Sequence, residues 1–258
     1  LKDFFDISHF LGLPPDVSTH GPGLDYMTSL VHLLMLVLFV GWGAFFIFVL
    51  IRFRGKTHPV ASYEGVKSHF SSYAEGGVVI AEIALLGFFA IPTWSFLKTD
   101  FPPADKAITI HAVGEQFAWN FHYPGADGKF GRRDISLVDA ALNPLGIDFE
   151  NDPNAADDIT TVNALHLPVG QPVIVHVMSK DVIHSFSLPN MRVKQDAIPG
   201  LDIPVWFEPT KTGRYDIGCA QLCGLGHYRM HGWLTIESRE DYNAWVKKTM
   251  DDIAEFGR

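Results

Sequence analysis

The chain has 258 residues, of which 47% are hydrophobic and 19% charged, and a formal net charge of −9. That length allows one or two domains with a real core, and 13% aromatic residues exclude a disordered chain. The acidic balance argues against nucleic acid as a partner, and two cysteines are too few for a disulfide scaffold.

In chain order, residues 1–27 read as a polar N-terminal segment, followed by two apolar blocks within 28–97. Leu30–Ile51 has no formal charge, and Val78–Phe96 has one, Glu82. About 20 apolar residues in a helix span a bilayer, so both blocks are predicted as transmembrane helices forming a hairpin. The alternative, a pair of buried soluble helices, has the same length signature. Pro92 falls in the last third of the second block, where a membrane helix tolerates it.

The connection between the blocks carries Arg52, Arg54, Lys56 and Lys67 against Glu64 and Glu75. The segment before the first block carries Lys2 against Asp3, Asp6, Asp16 and Asp25. The positive-inside rule therefore puts the connection in the cytoplasm and both flanks outside, in the periplasm. The start at Leu1 rather than Met is compatible with a removed signal peptide.

Residues 98–258 carry 15 basic against 22 acidic residues, so most of the negative charge is here. Short aromatic and β-branched runs predict strands at Ala107–Val113, Gln116–Tyr123, Leu165–Leu167, Pro172–Met178, His184–Leu188, Pro204–Phe207, Gly213–Ile217 and Gly232–Ile236. Such spacing indicates a sandwich or barrel. Gly125–Asp158, rich in Asp, Asn, Gly and Ala, reads as a long surface excursion. Ser238–Phe256 reads as an amphipathic helix with Ser238 and Asp241 as a capping box and Tyr242, Trp245, Val246 and Ile253 on one side.

The most informative stretch runs from Cys219 to Met230. Both cysteines, His227 and Met230 fall within it, and Gly218, Gly224 and Gly226 make it a bending loop. Thiolate, imidazole and thioether form a soft ligand set suited to copper. Two thiolates on one loop could bridge a pair of metal ions, each needing a terminal His and a weak axial ligand. A Cys-x3-Cys disulfide is the structural alternative in an oxidising compartment. A second histidine must come from elsewhere. His184, after the polar turn Ser179–Asp181, is one candidate; His111, His122, His166, His176 and His231 are others.

Taken together, the apolar hairpin, the β-rich part, Asp181-Val-Ile-His184-Ser-Phe186, Asp196-Ala-Ile-Pro-Gly200 and Cys-x3-Cys-x3-His-x2-Met resemble subunit II of haem–copper cytochrome c oxidase, from about Asp25 to Phe256. The resemblance implies a cupredoxin-like Greek-key β-barrel after the hairpin, with a C-terminal helix and a dinuclear CuA copper centre. By motif, it makes His184 and His227 the imidazole ligands, Cys219 and Cys223 the bridging thiolates, Met230 one weak ligand and the Gln221 backbone carbonyl the other. It implies electron transfer from cytochrome c to haem in subunit I, for reduction of oxygen coupled to proton translocation.

Three positions depart from the family pattern. Gln221 stands where Glu usually helps bind magnesium at the subunit I interface; a neutral amide is a weaker ligand for that hard cation, so magnesium does not carry over with copper. Phe117 stands where a Trp is the usual electron-entry residue, with Trp119 two residues on, so entry over Phe117 is expected, while Trp119 reads equally as a core residue. Leu201 follows the Asp-Ala-Ile-Pro-Gly run in place of Arg, and Arg192 or Lys194 could replace the lost contact; Asp196 resembles the family residue facing subunit I. Glu82 within an apolar block is either a proton-entry group near the cytoplasmic end or an interface carboxylate.

The acidic run Asp148–Asp158 reads as a solvated loop or as steering for a basic donor such as cytochrome c. Other oxidase subunits, membrane lipid and a neighbouring respiratory complex are the remaining expected partners. No Cys-x-x-Cys-His motif is present, so the donor haem belongs to another protein. A membrane-anchored copper delivery protein and a copper-free quinol oxidase subunit are the competing functions; the first would use a more open Met- and His-rich site, and the second usually lacks the cysteines.

Overall fold

The computed structural model describes residues 5–61, 63–65 and 67–256. Lys2 and Asp3, counted in the charge argument above, lie outside them. The chain divides into two units: residues 5–13 with Gly23–Phe96, and Pro14–Pro22 with residues 97–256.

The first unit is a helical hairpin. Helix α1 spans Gly21–Arg52 and helix α2 spans Phe70–Thr99. Both start eight or nine residues before the apolar blocks read from sequence, because flanking Gly, Ser, Tyr and Ala residues extend the helices without being strongly apolar. Tyr26 near the start of α1 packs edge-on against Phe89 near the end of α2, with ring centroids 6.1 Å apart, so the two run antiparallel. α2 contains a π turn at Leu86–Ala90, just before Pro92; the widened turn is a usual accommodation of a residue without an N–H. Neither helix buries its most apolar window within the protein. Apolar surface on this scale requires a non-aqueous surrounding.

The second unit is a β-sandwich. Its ten strands are β1 Ile108–Glu115, β2 Ala118–Tyr123, β3 Ile159–Val162, β4 Ala164–Pro168, β5 Val173–Ser179, β6 His184–Leu188, β7 Val193–Ala197, β8 Ile203–Phe207, β9 Gly213–Cys219 and β10 His231–Glu237. One sheet has the order β3-β2-β1-β5-β8 and the other β4-β10-β9-β6-β7. The core between them includes Ile110, Trp119, Phe121, Leu165, Val175, Phe186, Phe207, Ile217 and Leu234. The expected cupredoxin-like architecture is present as two facing sheets.

Two strands escaped the sequence reading. β3 has four residues at the end of the Asp-rich stretch, and β7 (Val-Lys-Gln-Asp-Ala) buries only its two ends. Conversely, the run predicted from Gln116 starts as a strand only at Ala118, since Gln116 and Phe117 form the β1–β2 turn.

A strap from the N-terminal segment belongs to this unit. Val17 N–H donates to Asn190 O at 2.9 Å, Thr210 N–H donates to Val17 O at 2.8 Å, and Thr19 N–H donates to Glu208 O at 3.1 Å. Helix α3, Arg239–Phe256, packs Trp245, Val246, Met250 and Ile253 on the core. Its first turn has the expected capping pair: Asp241 N–H donates to Ser238 Oγ, which donates to Asp241 Oδ2 at 2.6 Å.

The 125–158 excursion has more internal structure than its composition suggests. Leu145, Ile147 and Ala155 pack with Val113 into a small core of their own. Carboxylates tie its turns: Asp152 and Asp139 accept from backbone N–H groups, and Asp148 pairs with Arg132.

Candidate metal centre

The Cys219–Met230 loop closes the antiparallel β9–β10 hairpin. His231 pairs with Gly218 in register, and Cys219 N–H donates to Met230 O at 3.3 Å, so the two ends of the loop stand side by side. On the other side of β9 lies β6, with Phe186 opposite Cys219 and Ala220 N–H donating to Ser185 O at 3.0 Å. That pairing brings His184, at the first position of β6, against the cysteines from 35 residues away in sequence. Gly224 adopts a φ of +133°, a region side chains disfavour. A Cβ on Gly226 would lie 2.4 Å from the Phe117 ring. Glycine at both positions lets the loop fold under Phe117.

Both cysteines are free thiols, with their Sγ atoms 3.8 Å apart. Cys219 Sγ is 4.0 Å from His184 Nδ1 and 3.2 Å from the Gln221 carbonyl oxygen. Cys223 Sγ is 3.5 Å from His227 Nδ1 and 3.8 Å from Met230 Sδ. His184, Cys219 and Cys223 present one ligand atom each within 4.8 Å of one another, the one such group among the described residues. His184 is fully buried, and Cys223 and Met230 are nearly so.

The electrostatics suit a cation. Burial, together with the neighbouring Cys219 thiol, pushes the Cys223 thiol up to about 11. Two adjacent thiolates, one of them buried, therefore favour a positive ion between them. Two sulfurs, two imidazole nitrogens, a thioether and a carbonyl form a soft donor set that fits copper.

Two residues outside the sequence-derived ligand set hold this arrangement. Asp181 Oδ1 accepts from His184 Nε2 at 2.8 Å, and its Oδ2 accepts from Gln116 N–H at 2.7 Å. Burial raises the Asp181 pKa, but the hydrogen bonds from His184, Gln116 and Val182 outweigh it and hold the carboxyl below its ordinary range. With Nε2 carrying the proton toward Asp181, Nδ1 is left as the lone-pair donor toward the sulfurs. Gln116 Nε2 also donates to Cys223 O at 2.6 Å. The signal for Asp181 was a carboxylate three residues before a ligand across a tight turn; Gln116 gave none.

The other histidine candidates go elsewhere. His122, His111 and His176 stand in a row across β2, β1 and β5 on the outer face of the sheet. There His111 stacks on Phe130 at 3.7 Å, and His122 Nε2 meets Asp158 Oδ2 at 2.6 Å. Burial and then the charges of Arg133, His122 and His176 push His111 down to about 3. His166 stacks on Trp245, and His231 pairs with Asp216.

Phe117 is half-buried over Gly224 and Gly226, with the Arg229 guanidinium 5.7 Å from its ring centre. Leu222, Leu225 and Tyr228 stand exposed on the same loop. Trp119 is fully buried, its ring 6.0 Å from His184 and 5.2 Å from Phe186. Asp196 is exposed on β7. Glu82 lies in α2, in the other unit. Because α2 begins at Phe70, Glu82 is about three turns inside the helix rather than at its end.

Residues 108–237 match the family described as cytochrome C oxidase subunit II, periplasmic domain. The chain is 34% identical over 205 residues to the alternative cytochrome c oxidase subunit 2 of Bradyrhizobium diazoefficiens, covering 79% of this chain and 72% of that one. It is 32% identical over 178 residues to the cytochrome c oxidase subunit 2 of Cereibacter sphaeroides, covering 66% of this chain and 58% of that one. Among solved structures, the periplasmic domain of subunit II of cytochrome oxidase of Bradyrhizobium japonicum matches at 31% identity. It covers 58% of this chain and 97% of that one, with a TM-score of 0.43.

Proposed function

The chain belongs to the cytochrome c oxidase subunit II family, so it is a subunit of an oxidoreductase complex, and from that premise we propose that it is the electron-entry subunit. It takes electrons from reduced cytochrome c at a dinuclear copper centre and hands them to haem in subunit I. Oxygen is reduced to water there, coupled to proton translocation. The observation that carries this reading is the donor shell in which Cys219, Cys223, His227, Met230 and the Gln221 carbonyl, all on the β9–β10 loop, meet His184 from β6.

With copper bound, that shell supplies one-electron redox chemistry with no open position for a substrate. The chain's own residues do the rest. Cys219 and Cys223 would hold the copper through their thiolates, and His184 and His227 would each offer Nδ1. Asp181 fixes the orientation of His184, and Gln116 fixes the Cys223 carbonyl. Phe117 covers the loop glycines Gly224 and Gly226. A pre-shaped site with His184, Cys223 and Met230 buried favours electron transfer over metal exchange, which separates this reading from copper delivery.

The proposed topology has the connection between α1 and α2 in the cytoplasm and both flanks in the periplasm, with the hairpin (28–97) crossing the plasma membrane and the cupredoxin domain (98–258) outside. The strap 14–22, bonded to the β-sandwich, supports a common side for the N-terminal segment (1–27) and the domain. Subunit I, other oxidase subunits and membrane lipid are the proposed partners, with cytochrome c as donor and a neighbouring respiratory complex as a further contact.

Phe117 is the proposed entry residue, with buried Trp119 packed beneath the centre. Stopped-flow mixing of the purified oxidase with reduced cytochrome c tests this. Phe117→Leu is expected to slow electron entry about tenfold or more, a rise of about 1.4 kcal/mol in the barrier; an unchanged rate removes Phe117 from the path. Glu82 is the proposed proton-entry group. Glu82→Gln is expected to lower steady-state turnover while leaving that stopped-flow phase unchanged, and unchanged turnover removes the role.

A further inference from the structure

A pocket with apolar walls from Leu97, Val193 and Val205 and a basic rim lies away from the sulfur cluster, against the strap and β7–β8. It encloses about 70 Å³ and is lined in part by His20, Lys98, Arg192, Lys194 and Trp206. All five belong to the β unit. The strap brings His20 to β8, where its ring meets Trp206 edge-on at 5.9 Å.

His20 is 7% exposed; its ring lies near the Met191 backbone, but neither ring nitrogen makes a hydrogen bond of good geometry. A buried polar ring with no well-aligned partner is costly, and at least one ring nitrogen in the wall of this pocket is left for a group from outside the chain. Around it are three basic side chains. Arg192 is held by the Pro189 and Pro14 carbonyls, each at 2.7 Å. Lys98 Nζ donates to Gln195 Oε1 at 2.9 Å, which uses one of its three protons. The nearby carboxylate is Asp16, which accepts from Ser18 N–H and Ser18 Oγ at 3.1 Å.

Position and size narrow the ligand. His20 immediately precedes α1 and Lys98 lies one residue before the end of α2, so the pocket marks the end of both apolar helices. Lys, Arg and Trp at such a boundary are the residues that meet lipid headgroups. A space of 70 Å³ is about two water volumes, enough for an oxyanion and too small for an acyl chain.

We propose that this pocket binds a phosphate group, with His20 as the buried hydrogen-bonding partner and Lys98, Arg192 and Lys194 as the surrounding charge. Its chemical source is the headgroup of an anionic phospholipid or free phosphate. The site is independent of copper and rests on the helix ends, not on which side of the membrane they face.

Native mass spectrometry of the full chain, released from nanodiscs of equal parts phosphatidylglycerol and phosphatidylcholine, tests it. Both leaflets are alike, so an error in topology leaves the result unchanged. The wild type is expected to retain phosphatidylglycerol selectively. The exposed pair Lys98→Gln with Lys194→Gln is expected to weaken retention about thirtyfold. His20→Phe, which keeps a ring against Trp206, is expected to weaken it about tenfold. If phosphatidylglycerol is not selected but inorganic phosphate binds in phosphatidylcholine discs, measured by calorimetry and lost in His20→Phe, the source is free phosphate. Selection that survives His20→Phe is surface charge alone and overturns the pocket. Binding of neither probe overturns the proposal altogether.

Discussion

The Asp181 carboxylate accepts from His184 with one oxygen and from the Gln116 N–H with the other, so it ties the β1–β2 turn to the strand that delivers the first imidazole. Removing such a partner of a metal-bound histidine typically costs 10- to 100-fold in affinity. Asp181→Ala is therefore expected to lower copper affinity by roughly that factor, read by competition with a chelator; wild-type affinity would show that packing alone orients His184. At this scale the candidate ligands were legible because four chemically distinctive residues crowd one loop. His184 was not legible from spacing, since five other histidines competed. The pairing of β6 with β9 separates it from them, and that pairing is a property of the fold. Asp181 and Gln116 act through hydrogen bonds to atoms distant in sequence, which no local pattern encodes.

Among elements, the 125–158 segment departs furthest from its sequence impression. Its composition suggests a solvated loop, yet Asp148, Asp152, Asp134 and Asp139 are built into its turns. The Arg132 side chain beside Asp148, the Arg132 and Asn154 N–H groups at Asp152, the Ser136 hydroxyl and N–H at Asp134, and the Leu142 and Ala141 N–H groups at Asp139 hold these carboxyls below their ordinary range. A carboxylate depressed in the folded state stabilises it above the unfolded value, about 4, and that contribution is lost as the pH falls through the folded value. The segment is expected to loosen below about pH 4 before the sandwich does. Hydrogen exchange, corrected for the intrinsic pH dependence of the rate, should show residues 125–158 losing protection first. Simultaneous loss in β1 and β10 would contradict an independently stabilised segment. The same logic explains the strand errors: β3 and β7 are short and weakly apolar, and form because neighbouring strands offer a hydrogen-bonding edge.

For the whole molecule, an average hydrophobic fraction concealed two physically different parts. The apolar helices leave their most hydrophobic windows uncovered, as a bilayer permits. The sandwich closes its own core and brings the candidate ligands together between the β9–β10 loop and the start of β6. The division was legible from the clustering of apolar residues, and the sandwich from strand spacing. The attachment of residues 14–22 to the sandwich was not, because that strap is held mainly by backbone hydrogen bonds, with Val17 its one buried apolar side chain beside the polar Ser18 and His20. The central claim is that this sandwich carries a dinuclear copper centre. Copper analysis with electron paramagnetic resonance on the purified, copper-loaded full chain tests it most directly. The account predicts two copper ions per chain and a spectrum in which one unpaired electron is shared equally between two copper nuclei. A single copper with a localised spectrum, or no bound copper, would contradict it.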